Sequence, residues 1–186
     1  CARGSMIKMA DGTSKRVEDI HKNDKVMTIN INNNLVYITK IEAVIITKCK
    51  NNCEFMVEVD NLKITPYHPI YVNGKWTFPI DISEPKKINC YDMFTFVTTD
   101  RKPVIIDDYI FATLGHNQMG DVIEHNYFGT DKVIKDLKYF TTYNFGYVHL
   151  TKDMIYKENG KATKIIDIKI PSFKTNVVEL YMTANL

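Results

Sequence analysis

The chain has 186 residues, of which 45% are hydrophobic and 25% are charged, and these are ordinary values for a globular protein. This length predicts one large domain, or one domain with an appendage. A net charge of +2 gives no reason to expect binding to nucleic acid or to a membrane surface. No apolar run reaches the roughly 18 residues of a membrane-spanning helix, so no membrane segment is predicted.

Short apolar runs separated by turn residues predict a mainly β fold. Asn73-Gly74, with apolar residues on both sides, is the strongest hairpin signal, and four asparagines within residues 30–34 predict another turn. Trp76, the single tryptophan, is expected in the core. The predicted strands of this part of the chain are residues 26–29, 35–47, 55–59, 62–65, 91–97, 104–106 and 109–113.

A helical pattern follows further along the chain, at residues 131–137. Val133, Ile134 and Leu137 would share one face of this short helix, with Thr130 or Asp131 as its N-cap. The aromatic residues that come next, within 139–147, are expected to cover the core rather than to form a linker.

The last part of the chain predicts a second short helix and two strands. The helix is expected at residues 152–156, followed by a turn at Asn159-Gly160. Residues 165–170 and 177–182 alternate between apolar and polar side chains, and we expect two strands there that pair with each other.

The four cysteines are too few to form a disulfide framework in a chain of this length. Cys49 and Cys53 have a three-residue spacer and no matching second pair, so two interpretations stay open. They form a disulfide or a structural zinc site, or they are two free thiols near a loop in a reducing compartment. The cysteine content and the lack of a signal peptide favour a cytoplasmic location.

The candidate catalytic residues lie in two separate stretches of the chain. The chain opens with Cys1 in a segment that ends in Asp11-Gly12, followed by Val-Glu-Asp-Ile at residues 17–20. About forty-five residues further on comes the pattern Thr-x-x-His, formed by Thr65 and His68. In this register the two stretches resemble the first two conserved blocks of the Hint (Hedgehog/intein) self-processing domains.

This resemblance implies a fold and a place for the site. Hint domains are compact, pseudo-twofold β horseshoes, which residues 1–114 would form, and residues 115–186 would be an α+β extension packed on that core. The Tyr-Asp strand at residues 91–97 is similar to a late Hint block whose aspartate can assist the first cleavage step. Asp92 is therefore a further candidate site residue, and a solvent-exposed strand end is its alternative interpretation.

A third stretch indicates which group of Hint domains the chain resembles. Thr-Leu-Gly-His at residues 113–116 and His-Asn-Tyr-Phe-Gly-Thr at residues 125–130 resemble the extension of Vint domains, the Hint relatives found downstream of von Willebrand factor type A domains. His116 and His125 are weak candidates for a metal site. The alternative is that both histidines bond to the loop backbone and hold the extension in place.

The chemistry that the resemblance implies begins with the Cys1 thiol, a strong nucleophile that is partly ionised near neutral pH. Attack on the preceding carbonyl would give a thioester by an N–S acyl shift. His68 would protonate the departing amide nitrogen. Thr65 would orient His68 or bond the scissile peptide. We expect no cofactor for this reaction.

Full splicing is not expected, because it requires a terminal His-Asn pair followed by a nucleophile. The chain ends in Asn185-Leu186, and His116-Asn117 is followed by Gln118. The prediction is therefore self-cleavage before Cys1, which implies that this chain is a piece of a longer precursor. Water, an amine or an alcohol would then resolve the thioester, and the upstream domain would be released or conjugated.

Two other functions stay open. The chain is either an inactive Hint fold that serves as a binding module of a larger signalling protein, or a cysteine hydrolase that acts on other proteins through Cys1 and His68. The partners expected for the self-cleaving protein are its own upstream domain, of von Willebrand factor type A, and a small nucleophile. We expect a monomer.

Overall fold

The computed structural model describes residues 1–168, and its architecture is mainly β, as the sequence predicts. One α-helix, α1, spans Asp131–Leu137. None of the helices in the described residues has the length and apolar character needed to cross a membrane. The strands are β1 (Met6–Lys8), β2 (Ser14–Arg16), β3 (Lys25–Asn30), β4 (Leu35–Lys48), β5 (Cys53–Val59), β6 (Leu62–Ile64), β7 (Ile70–Val72), β8 (Lys75–Thr77), β9 (Lys86–Asn89), β10 (Asp92–Thr98), β11 (Val104–Ile106), β12 (Tyr109–Phe111), β13 (Tyr147–Thr151), β14 (Ile155–Glu158) and β15 (Lys161–Ile165).

Tight turns connect most neighbouring strands. The β7–β8 hairpin turns at Asn73-Gly74 with φ values of 50° and 81°, and the β11–β12 hairpin turns at Asp107-Asp108 with φ values of 47° and 68°. Two successive residues with positive φ match the right-handed twist of the strands on either side. Asparagine, aspartate and glycine are the residues that adopt this conformation at the lowest cost, which explains their place in these turns.

The strands form four groups in the described part of the chain. The largest is an antiparallel sheet in the order β2-β1-β11-β12-β7-β8. A second sheet has the order β10-β4-β13, and β3 pairs with β4 beside it. Three strands pair as β6-β5-β9, and β14 pairs with β15. These pairings bring β1, at the start of the chain, next to β11.

The long strand β4 joins two hydrophobic clusters. Its first half pairs with β3, and its second half lies between antiparallel β10 and parallel β13. One cluster contains Cys1 together with Val44 of β4 and Phe94, Phe96 and Phe111 of the surrounding strands. Because buried residues of β4 point alternately to its two faces, the same strand also contributes to the second cluster.

The second cluster packs α1 and β15 against the sheet of β10, β4 and β13. Its buried members come from β4 and β10, from α1, and from β13 and β15, and they include Ala43, Ile45, Val97, Val133, Ile134, Leu137, Val148, Leu150, Ala162 and Ile165. The apolar face of α1 is the one that the sequence predicts, and the Thr130 side chain caps the helix by accepting a hydrogen bond from the Lys132 amide.

Three local predictions differ from the structure. Trp76 is only half-buried rather than in the core, because its indole N–H donates to the Gln118 side chain at 3.2 Å near the surface. The second predicted helix is a single 3₁₀ turn, Lys152–Met154, after which the chain enters β14. The predicted aromatic cover is partial, since Phe140 and Tyr143 are buried but Tyr139 and Phe145 are exposed.

The strand predicted at residues 165–170 begins and ends earlier than expected. The observed strand is β15, and it pairs with β14 across the Asn159-Gly160 turn. The partner predicted for it, residues 177–182, lies outside the described residues.

Leu137→Ala tests how strongly the second cluster stabilises the fold. Leu137 is fully buried on α1, so its truncation leaves a cavity between the helix and the sheet. We expect the free energy of unfolding to fall by about 2–5 kcal/mol, as urea denaturation would measure. Lys135→Ala, an exposed position of the same helix, should change it by less than about 0.5 kcal/mol. A similar small change for Leu137→Ala would contradict the packing described here.

Candidate functional site

The first residues of the chain lie as an extended segment between β10 and β6. The Cys1 α-nitrogen donates to the Phe94 carbonyl at 2.9 Å, and the Phe94 amide donates to the Cys1 carbonyl at 2.7 Å. The Ala2 amide donates to the Lys63 carbonyl at 2.9 Å, on the other side. Cys1 is only 4% exposed, and its Sγ lies 3.6 Å from the Phe94 carbonyl oxygen. The nucleophile predicted from the sequence is therefore held by backbone bonds on both sides of the segment.

The Thr65–His68 segment forms a turn directly after β6, the strand that contacts Ala2. The His68 amide donates to the Thr65 carbonyl at 3.3 Å, which closes the turn. The His68 ring lies on Phe111, with 3.9 Å between the ring centroids, and its Nε2 is 2.7 Å from the Ala112 carbonyl oxygen. Because a carbonyl oxygen only accepts, Nε2 carries the proton, and the lone pair of the neutral ring lies on Nδ1.

The electrostatics of the site connect His68 with Cys1. Burial lowers the pKa of His68 to about 3, and the positive charge of the Cys1 α-ammonium lowers the same pKa further. Burial also lowers the pKa of the Cys1 α-amine, to about 5. Both groups are therefore neutral at pH 7 in this chain, and they lie close enough for the charge of one to affect the other.

Asp92 lies at the start of β10, two residues before Phe94. It is 8% exposed, so the structure does not place it at a solvated strand end, the alternative that the sequence left open. Its carboxylate accepts a hydrogen bond from the Arg3 guanidinium at 2.5 Å. Neither Arg3 nor Phe94 is among the site residues that the sequence predicts. Arg3 could have been proposed from the sequence, because it lies two residues from Cys1 and its charge is opposite to that of Asp92.

The two cysteines that pack against each other are not the two whose spacing suggested a pair. Cys49 and Cys53 form no disulfide, and both are free thiols. Cys49 is buried against Cys90 rather than against Cys53, next to Ala2. Burial and a hydrogen bond with Cys90 raise the pKa of the Cys49 thiol to about 12, so it is protonated at neutral pH.

His116 and His125 lie on the loop before α1 and bond to the loop backbone. His116 Nδ1 accepts from the Gln118 amide at 3.0 Å, and His125 Nδ1 accepts from the Tyr127 and Phe128 amides at 3.1 Å and 3.0 Å. A metal ion would have to bind through the remaining Nε2 atoms. Within residues 1–168, no three or more His, Cys, Asp or Glu side chains are grouped so that they could hold a metal ion.

The neutral state of His68 leads to a direct spectroscopic prediction. A histidine in a model peptide is mostly protonated at about pH 5. We expect the His68 ring of this chain to remain neutral there, with the proton on Nε2, because its pKa is lowered to about 3. Nitrogen-15 NMR of the imidazole ring would measure both the charge and the tautomer. A protonated His68 at pH 5, or a proton on Nδ1, would contradict the site geometry.

Comparison with known proteins agrees with this architecture. The family described as the Vint Hint-domain matches residues 1–166 of the chain. No curated protein matches. The solution structure of a bacterial intein-like domain from Clostridium thermocellum is similar over 60% of this chain and 96% of that chain, with a TM-score of 0.50 and 17% sequence identity.

A crystal structure of a DnaB intein from Synechocystis is also similar, over 61% of this chain and 98% of that chain, with a TM-score of 0.44 and 14% identity. Sequence identities this low allow a comparison of folds but not of activities. The match to the family covers nearly all of the described residues and includes both the Cys1 segment and the loop with the two histidines. The chain belongs to the Vint family of Hint domains.

Proposed function

We propose that this domain cleaves its own precursor at the peptide bond before Cys1. The observation that carries the proposal is that Cys1 is buried between β10 and β6, in the same cluster as Phe111, the residue on whose ring His68 lies. The autoprocessing character of Hint domains in general supports it. In a longer chain, the nitrogen that donates to the Phe94 carbonyl would belong to the scissile amide.

The first step is an N–S acyl shift. The Cys1 sulfur forms a bond to the carbonyl carbon of the preceding residue, and the π electrons move to the oxygen of a tetrahedral intermediate. When this intermediate collapses, the C–N bond breaks and its electron pair leaves with the nitrogen, which takes up a proton. The products are a thioester on Cys1 and a free α-amine.

His68 is suited to move the proton in this step. Its Nε2–H is committed to the Ala112 carbonyl, so Nδ1 is the free basic atom. Because the lowered pKa makes Nδ1 a weak base, it takes up the thiol proton only as the C–S bond forms and the S–H becomes acidic, and it then delivers that proton to the departing nitrogen. The low pKa makes the protonated ring a strong acid, so the proton is given up readily once the intermediate forms.

Thr65 and Asp92 have supporting roles in this proposal. Thr65 shares its turn with His68, and its backbone carbonyl fixes the amide of that residue. Asp92 lies two residues from Phe94 on the same strand, where its carboxylate binds Arg3 and so ties the Cys1 segment to β10.

A second nucleophile completes the reaction by attacking the thioester. Water would release the upstream domain as a carboxylic acid, and an amine or an alcohol would leave it conjugated. We expect no second cleavage, because Asn117 of the His-Asn pair is followed by Gln118 on a loop. The upstream domain is expected to be of von Willebrand factor type A, and this identity remains a prediction from the resemblance.

His68→Ala tests the proposed proton transfer. We expect the rate of cleavage of a precursor with a short upstream extension to fall by about 10²–10⁴-fold, the usual contribution of a general acid or base. Gel electrophoresis over time would measure this rate. His149→Ala, which removes an exposed ring on β13, is the matched control and should leave the rate unchanged.

Cys1→Ala in the same precursor should abolish cleavage while the domain stays folded. Cleavage at the same bond without this thiol would exclude the mechanism. A wild-type precursor that stays whole would instead favour the inactive binding module. An equal rate in the His68→Ala and His149→Ala proteins would remove His68 from its proposed role.

A further inference from the structure

Arg3 makes a contact that no acyl- or proton-transfer step of the mechanism above uses. Its guanidinium donates to the Asp92 carboxylate at 2.5 Å, and its backbone amide donates to the Asp92 carbonyl at 3.3 Å. The side chain and the backbone amide of Arg3 therefore both donate hydrogen bonds to Asp92 on β10. The Asp92 side chain is 11% exposed and the Arg3 side chain is 49% exposed, so the ion pair lies at the edge of the buried site.

The same guanidinium also lies over an aromatic ring. Its central carbon is 5.6 Å from the centroid of the Phe94 ring, a distance at which a cation is attracted to the ring face. Phe94 is the residue whose backbone amide and carbonyl both bond to Cys1. Arg3 thus forms an ion pair with the acidic candidate residue and lies within cation–π distance of the residue that holds the nucleophile.

We propose that Arg3 is a positioning residue for cleavage before Cys1, and this inference rests on the function proposed above. Arg3 acts through Asp92 and Phe94: it fixes the direction of the Asp92 carboxylate and keeps the Cys1 segment in register with β10. An error of about 1 Å in the position of a reacting group can slow a reaction about 100-fold, so such a contact affects rate.

The chemistry of the side chain explains why arginine suits this position. A guanidinium is planar, stays charged, and can stack on a ring while its edge binds a carboxylate. A lysine at the same position would keep the charge and could bind Asp92, but it lacks the planar, delocalised guanidinium that can face a ring and a carboxylate together. Because the Arg3 side chain is half-exposed, water can reach the Asp92 carboxylate when the guanidinium is removed, so the main effect of Arg3 is expected in the reaction rate and not in folding.

The test compares the rate of thioester formation in precursors that carry single substitutions. Arg3→Ala should slow the reaction roughly 10- to 100-fold, and Arg3→Lys should restore part of that loss. Arg16→Ala removes the same charge from an exposed position on β2 and should change the rate by less than about twofold. The urea midpoint of each protein, measured in parallel, should change little.

Chemical rescue separates positioning from a structural role. Because Arg3 is half-exposed, a small guanidinium ion can enter the space left by Arg3→Ala. Ethylguanidinium at concentrations too low to denature the protein should accelerate the Arg3→Ala precursor and not the wild type. Asp92→Asn combined with Arg3→Ala should slow the reaction by less than the product of the two single effects, because part of the effect of Arg3 passes through Asp92.

Each contrary outcome has a distinct meaning. If the wild-type precursor cleaves and Arg3→Ala cleaves as fast or faster, the positioning role is wrong and the proposed function stands. A slow Arg3→Ala protein with a large loss of stability and no rescue by ethylguanidinium also overturns the role, because it indicates a structural contact. If the wild-type precursor does not cleave at all, the proposed function fails first, and the Arg3 proposal fails with it.

Discussion

The pair of backbone hydrogen bonds between Cys1 and Phe94 is the constraint on which the site depends. It makes the Cys1 segment one more antiparallel partner of β10, and Cys1 is only 4% exposed. A nucleophile fixed by main-chain bonds loses little freedom on entering the reaction, which is one source of rate in intramolecular chemistry.

The position of His68 follows from a different part of the fold. β7 and β12 pair with each other, and this places Phe111 and Ala112 against the turn that carries the histidine. Phe111 supplies an apolar surface that favours the neutral ring, and the Ala112 carbonyl fixes the tautomer. Helix α1 and strand β15 pack on the other face of the sheet, in a cluster that also contains residues of β4 and β10.

The local parts of this structure could be predicted from the sequence, and the long-range parts could not. Thr130 and the apolar triplet of α1 specify the helix within ten residues, and Asn73-Gly74 specifies a hairpin. The parallel pairing of β13 with β4 joins segments about a hundred residues apart, and no local periodicity indicates it.

The same limit applies to the site. Cys1, Thr65 and His68 could be proposed because their spacing resembles a family pattern. Phe94 and Ala112 act through backbone atoms, which any residue type supplies. Phe111 acts through a ring contact with a residue that is distant in the sequence. Trp76 shows that residue type alone can mislead. A tryptophan is expected in the core, but this one is half-buried and its indole N–H bonds to the Gln118 side chain.

The most direct test is the intact mass of a precursor with a short upstream extension, incubated with and without hydroxylamine. The mechanism predicts that hydroxylamine accelerates cleavage before Cys1 and that the upstream fragment carries a hydroxamate, because only an activated acyl group such as a thioester reacts in this way. A precursor of unchanged mass under both conditions, or an upstream fragment that always ends in a free acid at the same rate, would contradict a thioester on Cys1.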